Sequence, residues 1–411
     1  MLNQLWHDLW IMVFVILIVI GVFSGQGLVI GFGAMGLLVA GISWMWNKLS
    51  LQDVTYEREL SQQRVFIGEE VTMNVVLTNR KPIPLGRLRA EDEMPKSVNI
   101  ANAHVVSSYN PESQTLCHST SMGWYDRIRW QYQFTCSKRG FFRLGPVHLE
   151  SGDLFGLFSS HANIRGDDYV LVYPRVVSLP ELGLPYGRPL GDSKDGMRIY
   201  EDASRPMGLR DYQLGDPLKT VDWKATARMQ QLQVRTFEPS SSMTLILVVA
   251  VDTTAHYWEG YSPVYLERVI TAAASMATYA YEQQYSVGLF SNGTPVLADR
   301  PMRIPPSRSP EQLSIILEAL ATVRPIAMGP MDAQLGDNWQ QFAMGATIVV
   351  VSGYISEEMT NVLRRARASG YRIVVLFVGD EECPQLAAGI VVHQLNEHFA
   401  MMELENEFAP G

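Results

Sequence analysis

Cysteine is scarce in this chain of 411 residues: Cys117, Cys136 and Cys383 are the only three, and none has metal-knuckle spacing. An odd count at such distances is no disulfide framework and suits a reducing compartment. Were the body of the chain exported, Cys117 and Cys136 would be the pair to suspect. The short motifs of common enzymes are also missing. There is no Gly-x-Ser-x-Gly elbow, no Gly-rich loop closing in Lys-Ser/Thr, and no His-Glu-x-x-His. The eight histidines are dispersed along the chain. Basic residues form no stripe and the net charge is −9, which argues against nucleic acid as a partner. These absences point away from catalysis and towards a binding or scaffolding protein.

Charge itself is missing from one stretch. Between Leu9 and Asn47 there is no Asp, Glu, Lys or Arg. A helix needs about 20 apolar residues to cross hydrocarbon, so the stretch accommodates two spans with a turn between them. Ser24-Gly25-Gln26-Gly27 is that turn. A transmembrane hairpin is therefore expected over residues 1–50, with helices at 5–23 and 28–46. A cleaved signal peptide would need a positive leader, and no Lys or Arg precedes Lys48. Trp6 and Trp10 begin the first helix while Trp44 and Trp46 end the second, so all four fall at one face as an interfacial belt. Lys48, Arg58 and Arg64 follow the second helix closely, so the remaining chain is expected on the cytoplasmic side. Gly31, Gly33 and Gly36 spell Gly-x-Gly-x-x-Gly but lack the preceding strand of a dinucleotide site. The four-residue spacing of Gly27 and Gly31 suggests close helix packing instead.

Residues 51–180 read as an all-β domain. Alternation at Val71, Met73, Val75 and Leu77 marks a half-buried strand, and short strands with regular turns suggest an immunoglobulin-like sandwich. Residues 243–395 alternate strand and helix. Thr244 to Val251 and Ala346 to Ser352 are continuous apolar runs, as for strands buried on both faces, and a doubly wound α/β sheet is expected. The Met- and Glu-rich residues 396–411 read as a loosely docked tail.

The segment 181–242 between these domains holds the densest pattern: Gly208-Leu-Arg210-Asp-Tyr212-Gln-Leu-Gly215-Asp216-Pro, then Asp222-Trp223-Lys224-Ala-Thr-Ala-Arg228. Gly215-Asp216-Pro217 is a tight turn and Asp222 a fair N-cap for a short helix. Residues so placed form either a structural clamp or a partner-docking surface. The stretch resembles the signature of the bacterial domain-of-unknown-function 58 family, described as MoxR-associated proteins with a von Willebrand factor A-like domain. Arg139-Gly-Phe-Phe-Arg-Leu-Gly-Pro146, Asp153-Leu-Phe-Gly-Leu-Phe158 and Val172-Tyr-Pro-Arg175 resemble that family too. The resemblance implies a membrane-anchored, cytoplasm-facing protein working beside a MoxR-type AAA+ ATPase.

A-like domains often hold a divalent cation through Asp-x-Ser-x-Ser after the first strand, with a Thr and an Asp from later loops. Here Asp252-Thr253-Thr254-Ala255-His256 stands at that place, and Ser352-Gly353 where Asp-Gly would be expected. Asp252, Thr254 and Ser352 are thus the residues of a degenerate site, whose cation would be Mg²⁺. His256 replaces a hydroxyl with an imidazole, a ligand better suited to Zn or Ni. Asp332 is near in sequence but lacks the matching context. The reading is a membrane-tethered, non-enzymatic adaptor without a cofactor. The alternative, an outward-facing metal-dependent adhesion module, needs a working cation site and the opposite topology.

Overall fold

The computed structural model describes residues 2–108, 110–153, 158–166, 168–185, 189–190, 200–212, 221–240, 243–254, 260–296 and 298–408, with side chains at 2–11, 200–207, 235–240 and 405–408 outside that description. The chain divides into two compact units, Met1–Arg175 and Val176–Gly411.

The first unit opens with helices α1 (Leu2–Ser24) and α2 (Gly27–Ser50), joined at Gly25, whose φ is +64°. By length and composition α2 is able to cross a membrane, and the described part of α1 is a shorter apolar helix, Met12–Ser24. Large apolar side chains such as Phe23, Leu28, Phe32, Met35 and Leu38 are exposed. Both helices run a turn beyond the span expected from hydropathy, because polar residues such as Asn47 and Ser50 continue the hydrogen-bonded backbone. Expected close packing at Gly27 and Gly31 is not found: a Cβ at either would meet open space. The helices instead meet at Gly33, where a Cβ would collide with Ile18, and at Gly36, where it would collide with the ring of Phe14. Small residues let helices approach only on the face where the partner lies, and spacing alone does not name that face.

The β region that follows has a four-stranded sheet ordered 54–60, 70–79, 127–136, 98–100 and a five-stranded sheet ordered 159–164, 147–152, 85–95, 113–122, 105–107. A three-stranded sheet (64–66, 169–173, 140–143) completes it. Val71, Met73, Val75 and Leu77 face Leu88, Ala90, Met94, Leu116 and Leu149 in one core. This is sandwich packing, with inward residues recurring at period two.

The second unit contains a separate two-stranded antiparallel ribbon, Tyr200–Asp211 with Gln233–Ser240, and the short helix α3 (Trp223–Met229). Its main sheet has six strands ordered 303–307, 286–291, 244–249, 347–352, 372–377, 391–394; numbered along the chain, that order is 3-2-1-4-5-6. Five strands run parallel and 303–307 is antiparallel at the edge. The sequence of that strand, Arg-Ile-Pro-Pro-Ser, explains its place and why it does not read as a strand, since Pro lacks the ladder donor and is tolerated at an edge. Helices α4 (Pro263–Glu282) and α5 (Gln312–Thr322) pack on each other, and α4 lies on the central strands. Helices α6 (Met331–Asn338) and α7 (Glu357–Ala368) cover the opposite face, their Leu335, Met359, Val362 and Leu363 packing on Ile246, Val248, Ile348 and Val350.

The last element corrects the expected loose tail. Residues 396–408 form helix α8 (Asn396–Phe408), with Phe399 buried. Arg268 of α4 reaches both carboxylate oxygens of Glu403 at 2.8 Å and Asp380 at 2.7 Å, between the rings of Tyr265 and Phe399. An ion pair spanning 135 positions leaves no local trace in a Met- and Glu-rich sequence.

Candidate functional site

In an open α/β sheet the ligand crevice lies outside the carboxyl ends of the strands where the strand order reverses. In this chain that point falls between Thr244–Val249 and Thr347–Ser352, which deliver Asp252 and Ser352 to the same end of the sheet.

Asp252 is the centre of the crevice. Its Oδ1 accepts from Asn292 Nδ2 at 2.8 Å, and its Oδ2 accepts from the Met331 amide at 3.0 Å. Met331 is the first residue of α6, so Asp252 satisfies one of the amides that a helix start leaves without an internal acceptor. Asn292, wholly buried, accepts from the Val251 amide at 2.9 Å and donates to the Gly329 carbonyl at 3.1 Å. Burial pushes the Asp252 carboxyl above its usual range, aided by Asp332, while the bonds from Met331 and Asn292 pull it back.

Neighbouring hydroxyls are directed at backbone. Thr253 accepts from the Ser262 amide at 2.7 Å, and Thr254 donates to the Gly260 carbonyl at 3.2 Å, fixing the entry to α4. The hydroxyl of Ser352 donates to the carbonyl of Tyr354 and accepts from its amide. Asp332, whose role is not visible in the sequence, accepts from Ser356 Oγ at 2.6 Å, and Ser356 caps α7 through the Met359 amide at 3.0 Å. His256 lies outside the described residues. A Mg²⁺ site needs hard oxygens converging in near-octahedral geometry. Both carboxylate oxygens of Asp252 accept N–H donors here and the hydroxyls bind backbone, and no group of three or more His, Cys, Asp or Glu side chains converges among the described residues. The donor set does not fit that cation. Around the crevice Tyr261, Val264, Met328 and Tyr354 expose large apolar or aromatic side chains.

Asp222 is an N-cap, its Oδ1 accepting from the amides of Lys224 and Ala225 at 3.0 Å each. Helix α3 buries none of its residues; Trp223 is 65% exposed, and Lys224 and Arg228 are exposed. Arg210 Nη1 donates to the Asp211 carbonyl at 3.1 Å, and the Tyr212 amide to the Leu232 carbonyl at 2.9 Å, where the ribbon begins to part. Gln233 joins the two strands through Asp211 at 2.6 Å. Gly215 and Asp216 lie outside the described residues. The geometry thus brings Arg210, Tyr212 and Asp222 onto one ribbon, and Asp252 and Ser352 onto a separate crevice. Sequence reasoning missed Asn292 and Ser262, and it noticed Asp332 without finding its partner, Ser356. The Ser262-Pro263 pair, a capping residue before Pro at the first helical position, was the available signal.

An apolar N-terminal helix, a sandwich of β-sheets and an α/β region with a hydrogen-bonded polar cluster at the carboxyl ends of its strands define the class: a helix-led protein of mixed β and α/β architecture. Residues 208–406 match the family model described as Protein of unknown function DUF58. YeaD, an uncharacterized protein of Bacillus subtilis (strain 168), is 24% identical over 349 residues, covering 84% of this chain and 80% of that one. Solved structures similar to part of the chain include the CARDB domain of a Pyrococcus furiosus protein in complex with di-metal ions (12% identical, 29% of this chain and 87% of that one, TM-score 0.19). A cohesin module from a Clostridium perfringens family 33 glycoside hydrolase is similar at 8% identity (29% and 97% covered, TM-score 0.20). Neither likeness carries argument at such scores.

Proposed function

We propose that the protein is a non-enzymatic adaptor, anchored by α1 and α2 as a transmembrane hairpin in the bacterial inner membrane, with the chain after α2 on the cytoplasmic side. Its α/β unit, A-like in plan, presents the carboxyl-end face of its sheet to a protein partner. The family resemblance makes that partner a MoxR-type AAA+ ATPase, in a chaperone-like or assembly role. The carrying observation is the crevice: Asp252, Asn292, Asp332 and Ser356 are bonded among themselves and to backbone, beneath exposed Tyr261, Val264, Met328 and Tyr354. Such a rim offers contact area rather than a reactive group. The exposed Trp223 on α3 favours docking over a clamp for the signature segment.

Mild crosslinking in native membranes followed by purification of the full chain tests the reading. An AAA+ ATPase should be recovered with the wild type and lost with Met328→Asp and Tyr354→Asp, both changes at exposed positions. Recovery of no AAA+ protein on an intact bait, or undiminished recovery with both variants, counts against it.

A further inference from the structure

The first unit exposes two adjacent aromatic residues at a place where the fold could have buried or omitted them. Trp124 and Tyr125 are 70% and 69% exposed, in the turn between the strands Ser113–Met122 and Arg127–Cys136. The turn is held rigidly. Asp126 Oδ2 accepts from the Gly123 amide at 3.0 Å, while Asn79 Nδ2 donates to the carbonyls of Gly123 at 2.8 Å and Ile83 at 2.9 Å. Tyr125 has φ +47°, a left-handed conformation that an aromatic residue adopts only when its surroundings impose it.

The same turn is tied to the end of α2. The Tyr125 amide donates to the Lys81 carbonyl at 3.2 Å, and the Lys81 ammonium bonds the carbonyls of Ser50 and Gln52 where α2 stops. The 24 residues of α2 span about 36 Å, more than the ~30 Å of a bilayer's hydrocarbon. On the membrane-spanning reading its last turn, residues 47–50, would reach the headgroup layer, one turn beyond Trp44, whose ring has the Lys48 ammonium 5.5 Å away. Arg80 and Arg127 flank the aromatic turn, with only long contacts to Glu57 at 3.8 Å and Glu59 at 3.9 Å. Indole and phenol combine an apolar body with a polar tip, the chemistry favoured at that depth.

The geometry points to a second membrane contact: the 123–126 turn lays Trp124 and Tyr125 into the phospholipid headgroup layer of the leaflet from which α2 emerges. This rests on the membrane-spanning reading of α2 and adds that the β region is held against the bilayer at two places. A single helix exit leaves a domain free to swivel; a second contact beside it fixes which side faces the lipid.

The test uses the full chain in phosphatidylcholine/phosphatidylglycerol vesicles containing lipids brominated near the headgroup end or near the chain end. The emission of Trp124 is obtained as wild type minus Trp124→Phe. It should be blue-shifted and quenched at least twofold more by the shallow bromines than by the deep ones. Wild type minus Trp339→Phe, which reports a buried indole of the second unit, should ignore both. If the chain resists carbonate extraction but Trp124 is quenched by aqueous iodide and not by brominated lipid, this inference fails and the hairpin stands. Equal quenching of Trp339 also overturns it. If carbonate extracts the chain, the hairpin and the second contact fail together.

Discussion

Half-buried Asp252 and buried His118 stand in opposite situations. Asp252 bonds donors from two loops, so Asp252→Ala strands the Asn292 amide and the first amide of α6. A cost of about 1–3 kcal/mol is expected, with Asp252→Asn losing less because one oxygen remains. The loss in thermal stability should be the same with and without Mg²⁺, and calorimetry of the wild type with Mg²⁺ should give no heat that Asp252→Ala abolishes. A Mg²⁺-dependent difference between wild type and Asp252→Ala would return the residue to a cation site. His118 is 4% exposed among Tyr56, Trp130 and Tyr132, and neither ring nitrogen has a hydrogen-bond partner among the described residues. Burial lowers its pKa from 6.5 to about 4, with the Asp92 carboxylate opposing. The unfolded chain takes up a proton near 6.5 that the fold refuses until about 4, so His118 makes stability fall as pH drops through that window. His118→Phe should flatten the melting temperature between pH 6.5 and pH 4; an unchanged slope would assign the acid lability elsewhere.

Among elements, those the sequence disclosed are the ones whose burial is local. The strand at 70–79 alternates, the strands at 244–249 and 347–352 are apolar throughout, and Asp222 caps α3 from its own turn. What escaped depends on partners far along the chain. The 200–211 strand is recognisable only opposite 233–240, and α8 only through Phe399 and the Arg268–Glu403 pair. The candidate site divides the same way: Asp252 was legible from its place after an apolar strand, but its real partners, Asn292 and Met331, come from loops 40 and 79 positions on. Helix packing shows the limit most sharply, since Gly27 and Gly31 have the spacing of a packing pair yet face open space, whereas Gly33 and Gly36 face α1. Gly36→Leu should wedge the ring of Phe14 out of the contact and cost the helix pair about 1–3 kcal/mol. Gly31→Leu, pointing into open space, should be tolerated. Crosslinking between cysteines placed on α1 and α2 in detergent should fall for the first variant and not the second. Equal behaviour would mean that the helices meet on another face.

At the scale of the whole chain the question is how the apolar helices α1 and α2 are joined to the β region that follows them. In the first unit Asn47 Nδ2 donates to the Ser159 carbonyl at 3.2 Å, and Lys81 places a buried ammonium against the carbonyls that end α2. A cation at a helix C-terminus is favoured by the aligned peptide dipoles, and this one comes from the β region rather than from the helix. The junction is therefore a joint between elements, not a linker. Burial lowers the Lys81 pKa from 10.5 to about 8, with Asp53 pulling it partly back. Between those values the unfolded chain holds a proton that the folded chain has released, so this residue makes stability rise with pH from 8 towards 10.5. Lys81→Met keeps the length and removes both the charge and the bonds. It should abolish that rise, and hydrogen exchange of the amides at 50–54 should accelerate at pH 7 while the strands of the sandwich core keep their protection. If exchange there is unchanged and the pH slope persists, the ammonium is not what joins α2 to the β region, and the helix end must be held by packing on 147–152 and 159–164 alone.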